Sequence, residues 1–272
     1  MQKSNRIIVL VDLTENTDKL IDFAFQLSEK INGKVVLVHQ VPLMVPAMTD
    51  EKVRDQIIQG AINEARDKMK DLSNGRVFGN ESLIVSPRPV LKMLSEMHSG
   101  YYNDWVLGGL KEGTLLKRML FGSTLVTVVN DTDFLTLAIP VSQSMPFPEK
   151  LVVAVTSEFP LNDLQLNTIL TALQDQIKEV EFITILQDDD DEDIARSYLM
   201  SLDSKYYDYN TKTLLLKGVD KYDELKKHVE QSPDIFLILQ EGRRSFLDRV
   251  FRKFMINDLI HAANIPLIIL SK

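Results

Sequence analysis

The sequence contains no cysteine. Disulfides, thiolate nucleophiles and cysteine-ligated metals are therefore excluded. Histidine is scarce: His39, His98, His228 and His261 lie far apart, without the close spacing of metal ligands. No apolar run approaches the roughly 20 residues that span a bilayer. The amino-terminal residues run straight into a strand-like segment and lack the apolar core and small-residue cleavage site of a secretory leader. A cytoplasmic chain is expected. Catalytic signatures are missing as well: there is no G-x-x-x-x-G-K-S/T loop, no G-x-S-x-G elbow and no H-E-x-x-H helix. Val85-Ser86-Pro87 offers no aspartate for phosphorylation after a third strand. Positive charge is in the minority, with 31 Lys and Arg against 39 Asp and Glu and a net charge of −8. That balance disfavours a general nucleic-acid binder.

What is present is an ordinary globular composition, 44% hydrophobic and 26% charged over 272 residues. The chain reads as two copies of one pattern. The apolar run Arg6 to Asp12 recurs as Lys150 to Thr156, an offset of 144 positions. Helical stretches follow, Asp18 to Ile31 and Leu161 to Lys178, then the runs Lys34 to Val41 and Val180 to Leu186. Ser82 to Val85 pairs with Thr213 to Leu216, Asp104 to Leu107 with Asp234 to Leu237, and Leu137 to Val141 with Pro266 to Leu270. These later pairs are offset by about 130, so the second copy is shorter, mainly between its second and third strands. Short apolar strands alternating with amphipathic helices mean βαβ units, parallel sheets and right-handed crossovers. Ser142 to Pro148 carries two prolines among small polar residues and reads as the linker. The expected domains are 1–145 and 146–272.

The first copy also carries a candidate anion cradle. Trp105-Val106-Leu107-Gly108 ends a strand, Gly109-Leu110-Lys111-Glu112-Gly113 follows, and Gly122-Ser123-Thr124 opens a helix. A strand ending in glycines and a helix opening with Gly-Ser-Thr offer backbone N–H groups to a phosphate. Each part also has a plainer reading. Asp12 could cap the following turn, and Gly122-Ser123-Thr124 could cap a helix. The acidic run Asp188 to Asp193 lacks the ligand alternation of a calcium loop and reads as a solvated loop. The basic cluster of Arg243, Arg244, Arg249, Arg252 and Lys253 reads as a solvated or paired face.

Two such copies, Asp12 after the first strand and Gly109 with Gly122-Ser123 after the fourth, resemble a tandem universal stress protein over nearly the whole chain. The resemblance implies two repeated open five-stranded parallel α/β sheets of order 3-2-1-4-5, flanked by helices and packed as a pseudo-twofold pair through their last strands. It implies an adenine-nucleotide site, ATP with Mg²⁺ if a triphosphate binds, formed by Val11, Asp12, Gly109, Gly113, Gly122, Ser123 and Thr124. In such a sheet that site falls at the switch point beside strands one and four. His39, at the end of strand two, takes a structural role.

Departures from the family pattern are specific. Glu112 stands where the family's second glycine falls, and Gly113 is one place late. In the second copy Thr156-Ser157 replaces Asp12, and Phe251 to Asp258 stands where Gly-Ser should open the last helix. The leading expectation is a non-catalytic stress-response or regulatory protein whose first half binds an adenine nucleotide and whose second half is degenerate. A nucleotide-free interaction scaffold is the second reading, and a slow ATPase the third. The partners expected are the two halves for each other, a second copy of the chain and a further protein that the sequence does not specify; nucleic acid and membrane are not expected.

Overall fold

Asparagine marks many of the points where this chain turns. The computed structural model describes residues 3–42, 50–77, 79, 81–110, 124–141, 146–231, 234–240 and 265–271. Six non-glycine residues among them have left-handed φ, and four of these are Asn16, Asn32, Asn74 and Asn210. Asparagine tolerates that region because its short amide bonds locally. Asn32, for example, ends α1 (Thr17–Ile31) in the left-handed region, with its N–H on the Ser28 carbonyl.

The fold is mixed α/β, with a mostly parallel sheet flanked by helices. The chain divides into two compact units, Met1–Gly109 and Leu110–Lys272. In the first unit, β1 (Ser4–Leu10), α1, β2 (Gly33–Gln40), α2 (Glu51–Leu72), β3 (Leu83–Ser86), α3 (Val90–Met97) and β4 (Tyr102–Leu110) follow in turn. Its strands lie in the order β3-β2-β1-β4, all parallel, the first four places of the expected 3-2-1-4-5. Ile7, Ile8, Leu37 and Trp105 are fully buried. Strands covered on both faces need such continuous apolar runs rather than alternation.

In the second unit, helical residues 124–131 (α4) precede β5 (Leu135–Pro140). Then come β6 (Lys150–Ala154), α5 (Asp163–Ala172), β7 (Glu179–Leu186), α6 (Glu192–Lys205), β8 (Thr211–Lys217), α7 (Lys221–Glu230), β9 (Ile235–Gln240) and β10 (Leu267–Leu270). The order β8-β7-β6-β9-β10 runs parallel and is again 3-2-1-4-5. β10 then pairs antiparallel with β5, aligning Ile268 with Leu137. The expected helix Leu161 to Lys178 is shorter than its apolar pattern suggests. α5 ends at Ala172, and the Gln176 and Ile177 N–H groups turn back onto the Leu173 carbonyl. The shortening of the second repeat falls where its sequence offset changes: α2 has 22 residues and α6 has 14.

Ion pairs pin the amino ends of the strands. Arg6 forks onto Asp104 through Nε at 2.6 Å and Nη2 at 3.0 Å, and Nη2 also donates to the Met97 carbonyl at 2.7 Å. The Asp104 side chain is 2% exposed. In the second unit, Lys150 Nζ lies 2.9 Å from Glu179 and 3.0 Å from Glu181, and Glu181 also takes a hydrogen bond from His228 Nε2 at 2.8 Å. Burial alone would raise the Glu181 carboxyl, but the His228 and Lys150 hydrogen bonds outweigh it and hold it below the ordinary glutamate value. Lys212 and then Lys150 hold Glu179 low against its own burial.

Two predictions follow from these pins. Asp104→Ala leaves the Arg6 guanidinium buried without its carboxylate, and urea denaturation should show a loss of about 3–5 kcal/mol; an Arg6→Met, Asp104→Leu pair should recover most of it. A carboxyl held low in the folded state contributes stability above its unfolded value and loses it as pH falls through the folded one. Glu181→Gln should therefore flatten the acid side of the stability profile below the ordinary glutamate value of 4.5, as read by denaturation at a series of pH values.

Candidate functional site

In an open parallel sheet the crevice forms where neighbouring strands turn their connections opposite ways, beyond the carboxyl ends. In the first unit that pair is β1 and β4. Their register sets Leu10 against Gly108, so the chain leaves β1 as Val11-Asp12 beside Gly109. Val11 is buried; its N–H donates to the Val38 carbonyl at 2.8 Å, and its carbonyl accepts from His39 Nδ1 at 2.7 Å. A carbonyl can only accept, so the His39 proton sits on Nδ1, which makes this buried ring a structural tie.

Asp12 is half-buried and well held. Its Oδ1 accepts from the Thr14 N–H at 3.1 Å, the Thr14 hydroxyl at 2.9 Å and the Thr17 hydroxyl at 3.1 Å. This closes a turn in front of α1. Leu13 follows with φ 56°, the one left-handed non-glycine residue among those described that is neither Asn nor Asp. A branched apolar residue there costs about 1–2 kcal/mol. Lys68 Nζ reaches over from α2 to the Leu13 carbonyl at 3.2 Å. Backbone strain of this kind concentrates at ligand sites.

Of the residues the sequence nominates, Val11, Asp12 and Gly109 all stand at the carboxyl ends of β1 and β4 in the first unit. Thr124 begins α4 and belongs to the second unit. Gly113, Gly122 and Ser123 lie outside the described residues, as does Glu112.

The second repeat reproduces the scaffold around Val11 but not its surroundings. The Val155 N–H donates to the Ile183 carbonyl at 2.9 Å, and the Val155 carbonyl accepts from the Thr184 hydroxyl at 3.0 Å. Thr184 thus takes the place of His39. In place of the Asp12 carboxylate, Thr156 Oγ1 accepts weakly from the Glu158 N–H at 3.4 Å. At the end of β9, buried Gln240 receives the Asn162 N–H on its Oε1 and donates Nε2 to the Pro160 carbonyl at 2.6 Å. Asn162 Nδ2 continues to the Ser271 carbonyl at 3.1 Å, and Ser271 exchanges two hydrogen bonds with Gln165. This chain of amides ties the end of β9 and Ser271, just after β10, to the residues that lead into α5. Its members come from three distant segments, so sequence spacing does not signal it.

Other candidates resolve into local structure. Asp191 caps α6 by accepting the Ile194 N–H at 3.0 Å, Asp190 pairs with Lys221 at 2.5 Å, and Glu192 pairs with Arg196 and Lys217. Asp190, Asp191 and Glu192 are thus tied into local structure, while Asp188, Asp189 and Asp193 are exposed, in keeping with a solvated loop. Among the described residues no cluster of His, Asp or Glu could hold a metal ion, and no helix is long and apolar enough to cross a membrane. The basic cluster from Arg243 to Lys253 lies outside the described residues.

The comparisons with known proteins agree with this architecture. No curated protein sequence matches the chain. The crystal structure of a universal stress protein from Archaeoglobus fulgidus DSM 4304 superposes with a TM-score of 0.66 at 14% identity, covering 99% of this chain and 97% of that one. The cytoplasmic domain of a prokaryotic cation chloride cotransporter superposes with a TM-score of 0.55, also at 14% identity, covering 99% of this chain and 96% of the other. At such identities the likeness concerns the fold. The model of the Universal stress protein family matches residues 3–140, just over half of the 272, and spans β1 to β5. On that match, the chain belongs to the universal stress protein family.

Proposed function

We propose that the chain is a non-catalytic, cytoplasmic stress-response or regulatory protein, a tandem whose 1–145 half binds an adenine nucleotide and whose 146–272 half has lost that capacity. The observation that carries this reading is the contrast between the two crevices. In the first, Thr14 and Thr17 hold Asp12 at the end of β1 ahead of a left-handed Leu13, and the neighbouring strand carries Gly108-Gly109 near its end, where glycine permits close approach. In the second, the Gln240–Asn162–Ser271 amide chain occupies the corresponding place. Asp12 would accept from the sugar hydroxyls. The backbone of the Gly109 to Thr124 loop would take the phosphates of ATP, with Mg²⁺ offsetting the charge of Glu112. At about 4 Å and an effective dielectric near 20, that carboxylate would oppose a phosphate by several kcal/mol.

A nucleotide-free interaction scaffold is favoured by a different observation: Asp12 Oδ1 already takes three hydrogen bonds from Thr14 and Thr17. One experiment separates the two readings. Mass spectrometry of small molecules released from freshly purified protein should find ATP, ADP or AMP, and Mg-ATP at 100 times its dissociation constant should add about 2.7 kcal/mol of stability. Asp12→Ala and Gly109→Val should each remove most of that gain. Protein that releases no nucleotide and shows no shift at millimolar Mg-ATP is the scaffold.

The amide chain at the end of β9 makes its own prediction. Gln240→Ala strands the Asn162 N–H and the Pro160 carbonyl and should cost about 1–3 kcal/mol in chemical denaturation. Nucleotide release should be unchanged, because this crevice takes no part in binding.

A further inference from the structure

By sequence α4 and β5 fall within the first repeat, yet both cluster with the second repeat in the compact unit Leu110–Lys272. One tie between them lies at the end of α4. Leu125, Val128 and Val129 form the buried stripe of that helix at i, i+3, i+4 spacing. Thr132 then closes its last turn, donating its hydroxyl to the Val128 carbonyl at 2.6 Å. The next carbonyl, that of Asp133, accepts from Gln165 Nε2 of α5 at 2.9 Å.

Gln165 is committed on both sides of its amide. The same Nε2 donates to Ser271 Oγ at 3.0 Å, and Oε1 accepts the Ser271 N–H at 2.7 Å. Two N–H donors and the carbonyl are thus used, which fixes the planar group in orientation as well as place. Ser271 is buried and stands two residues past Ile269, the partner of Thr136 in β5. The Gln165 side chain therefore bridges the β5–β10 seam at the point where α4 gives way to β5. Only Thr132 separates Asp133 from Asp131, the last residue of α4, so the tie leaves the helix little slack along its axis.

We propose that Gln165 is a positioning residue for nucleotide binding, a proposal that rests on the reading that α4 presents its first turn to phosphate. The eight residues of α4 span about 12 Å, so a shift at the Asp133 end is carried to Thr124 at the other. Hydrogen bonds to phosphate weaken steeply when the donors are misdirected. The second repeat thereby braces the phosphate end of the first repeat's site. By linkage, bound nucleotide tightens the same brace.

Gln165→Glu tests this at one atom. It keeps an oxygen for the Ser271 N–H but has no donor for the Asp133 carbonyl. Isothermal titration with Mg-ATP should show affinity falling about twofold to tenfold, the effect of one lost hydrogen bond. Gln240→Ala leaves all three Gln165 hydrogen bonds in place and should bind as the parent chain does. Hydrogen exchange supplies a readout that needs no nucleotide. The amides of residues 125–131 should exchange faster in Gln165→Glu while those of α1 stay unchanged, and Mg-ATP should slow the same amides in the parent chain. A parent chain that binds Mg-ATP with a Gln165→Glu variant of equal affinity overturns the proposal alone, even if the variant is less stable, because that is the signature of a merely structural tie. Faster exchange throughout the variant, α1 included, overturns it as general loosening. A parent chain that binds no Mg-ATP overturns the nucleotide reading and the proposal with it.

Discussion

The first unit depends on the register between β1 and β4. In a parallel pair, a slip of one residue would turn every side chain of β1 to the opposite face. The apolar run from Ile7 to Val9 is buried on both faces, so hydrophobic burial alone discriminates weakly against such a slip. The Arg6–Asp104 fork supplies the discrimination. Arg6 sits opposite Asp104 in the ladder, and its guanidinium also reaches the Met97 carbonyl at the end of α3. A one-residue shift would break all three hydrogen bonds and leave a charge buried. Five residues further along, the same register delivers Val11, and then Asp12, beside Gly109. The geometry of the candidate site is thus fixed from the opposite end of the sheet.

The scaffold of the two repeats is more alike than their sequences. Val11 and Val155 each send an N–H to strand two of their sheet and each receive a side-chain hydrogen bond on the carbonyl, from His39 in one case and Thr184 in the other. An imidazole and a hydroxyl satisfy the same carbonyl, because the requirement there is a buried donor and not a particular residue. The strand ends differ more: where the first unit has the Asp12 carboxylate and Gly108-Gly109, the second has Thr156 and Gln240, whose amide accepts from Asn162 and donates to Pro160.

The strands were legible in the sequence because doubly covered parallel strands must be continuous apolar runs; their order was not in those runs and came only with the resemblance to the universal stress protein family. The end of α5 was less legible, since the residues after Ala172 keep an apolar pattern in a turn. Asp12, Val11 and Gly109 could be placed from sequence because each lies at a strand end. The Gln240–Asn162–Gln165–Ser271 chain could not, because three separate segments must fold together before its amides meet. Asp190 and Glu192 are a similar case: their partners Lys221 and Lys217 stand more than twenty residues away, and only the packing of α6 and α7 around β8 brings the charges together.

The ionic pins tie different strand pairs in the two units. Arg6 and Lys150 occupy corresponding positions in the two repeats, each at the start of the first strand. Arg6 ties that strand to strand four through Asp104, and so fixes the two strands that flank the crevice. Lys150 instead ties it to strand two through Glu179 and Glu181, leaving the β6–β9 boundary held by backbone pairing and the amide chain at its far end. A planar guanidinium bound in two places restrains orientation as well as distance, whereas an ammonium shared between two carboxylates restrains distance alone. The stiffer, directional tie joins β1 to β4 and so holds Asp12 in place relative to Gly109, whereas the looser tie joins β6 to β7 and leaves the pairing of β6 with β9 to the backbone.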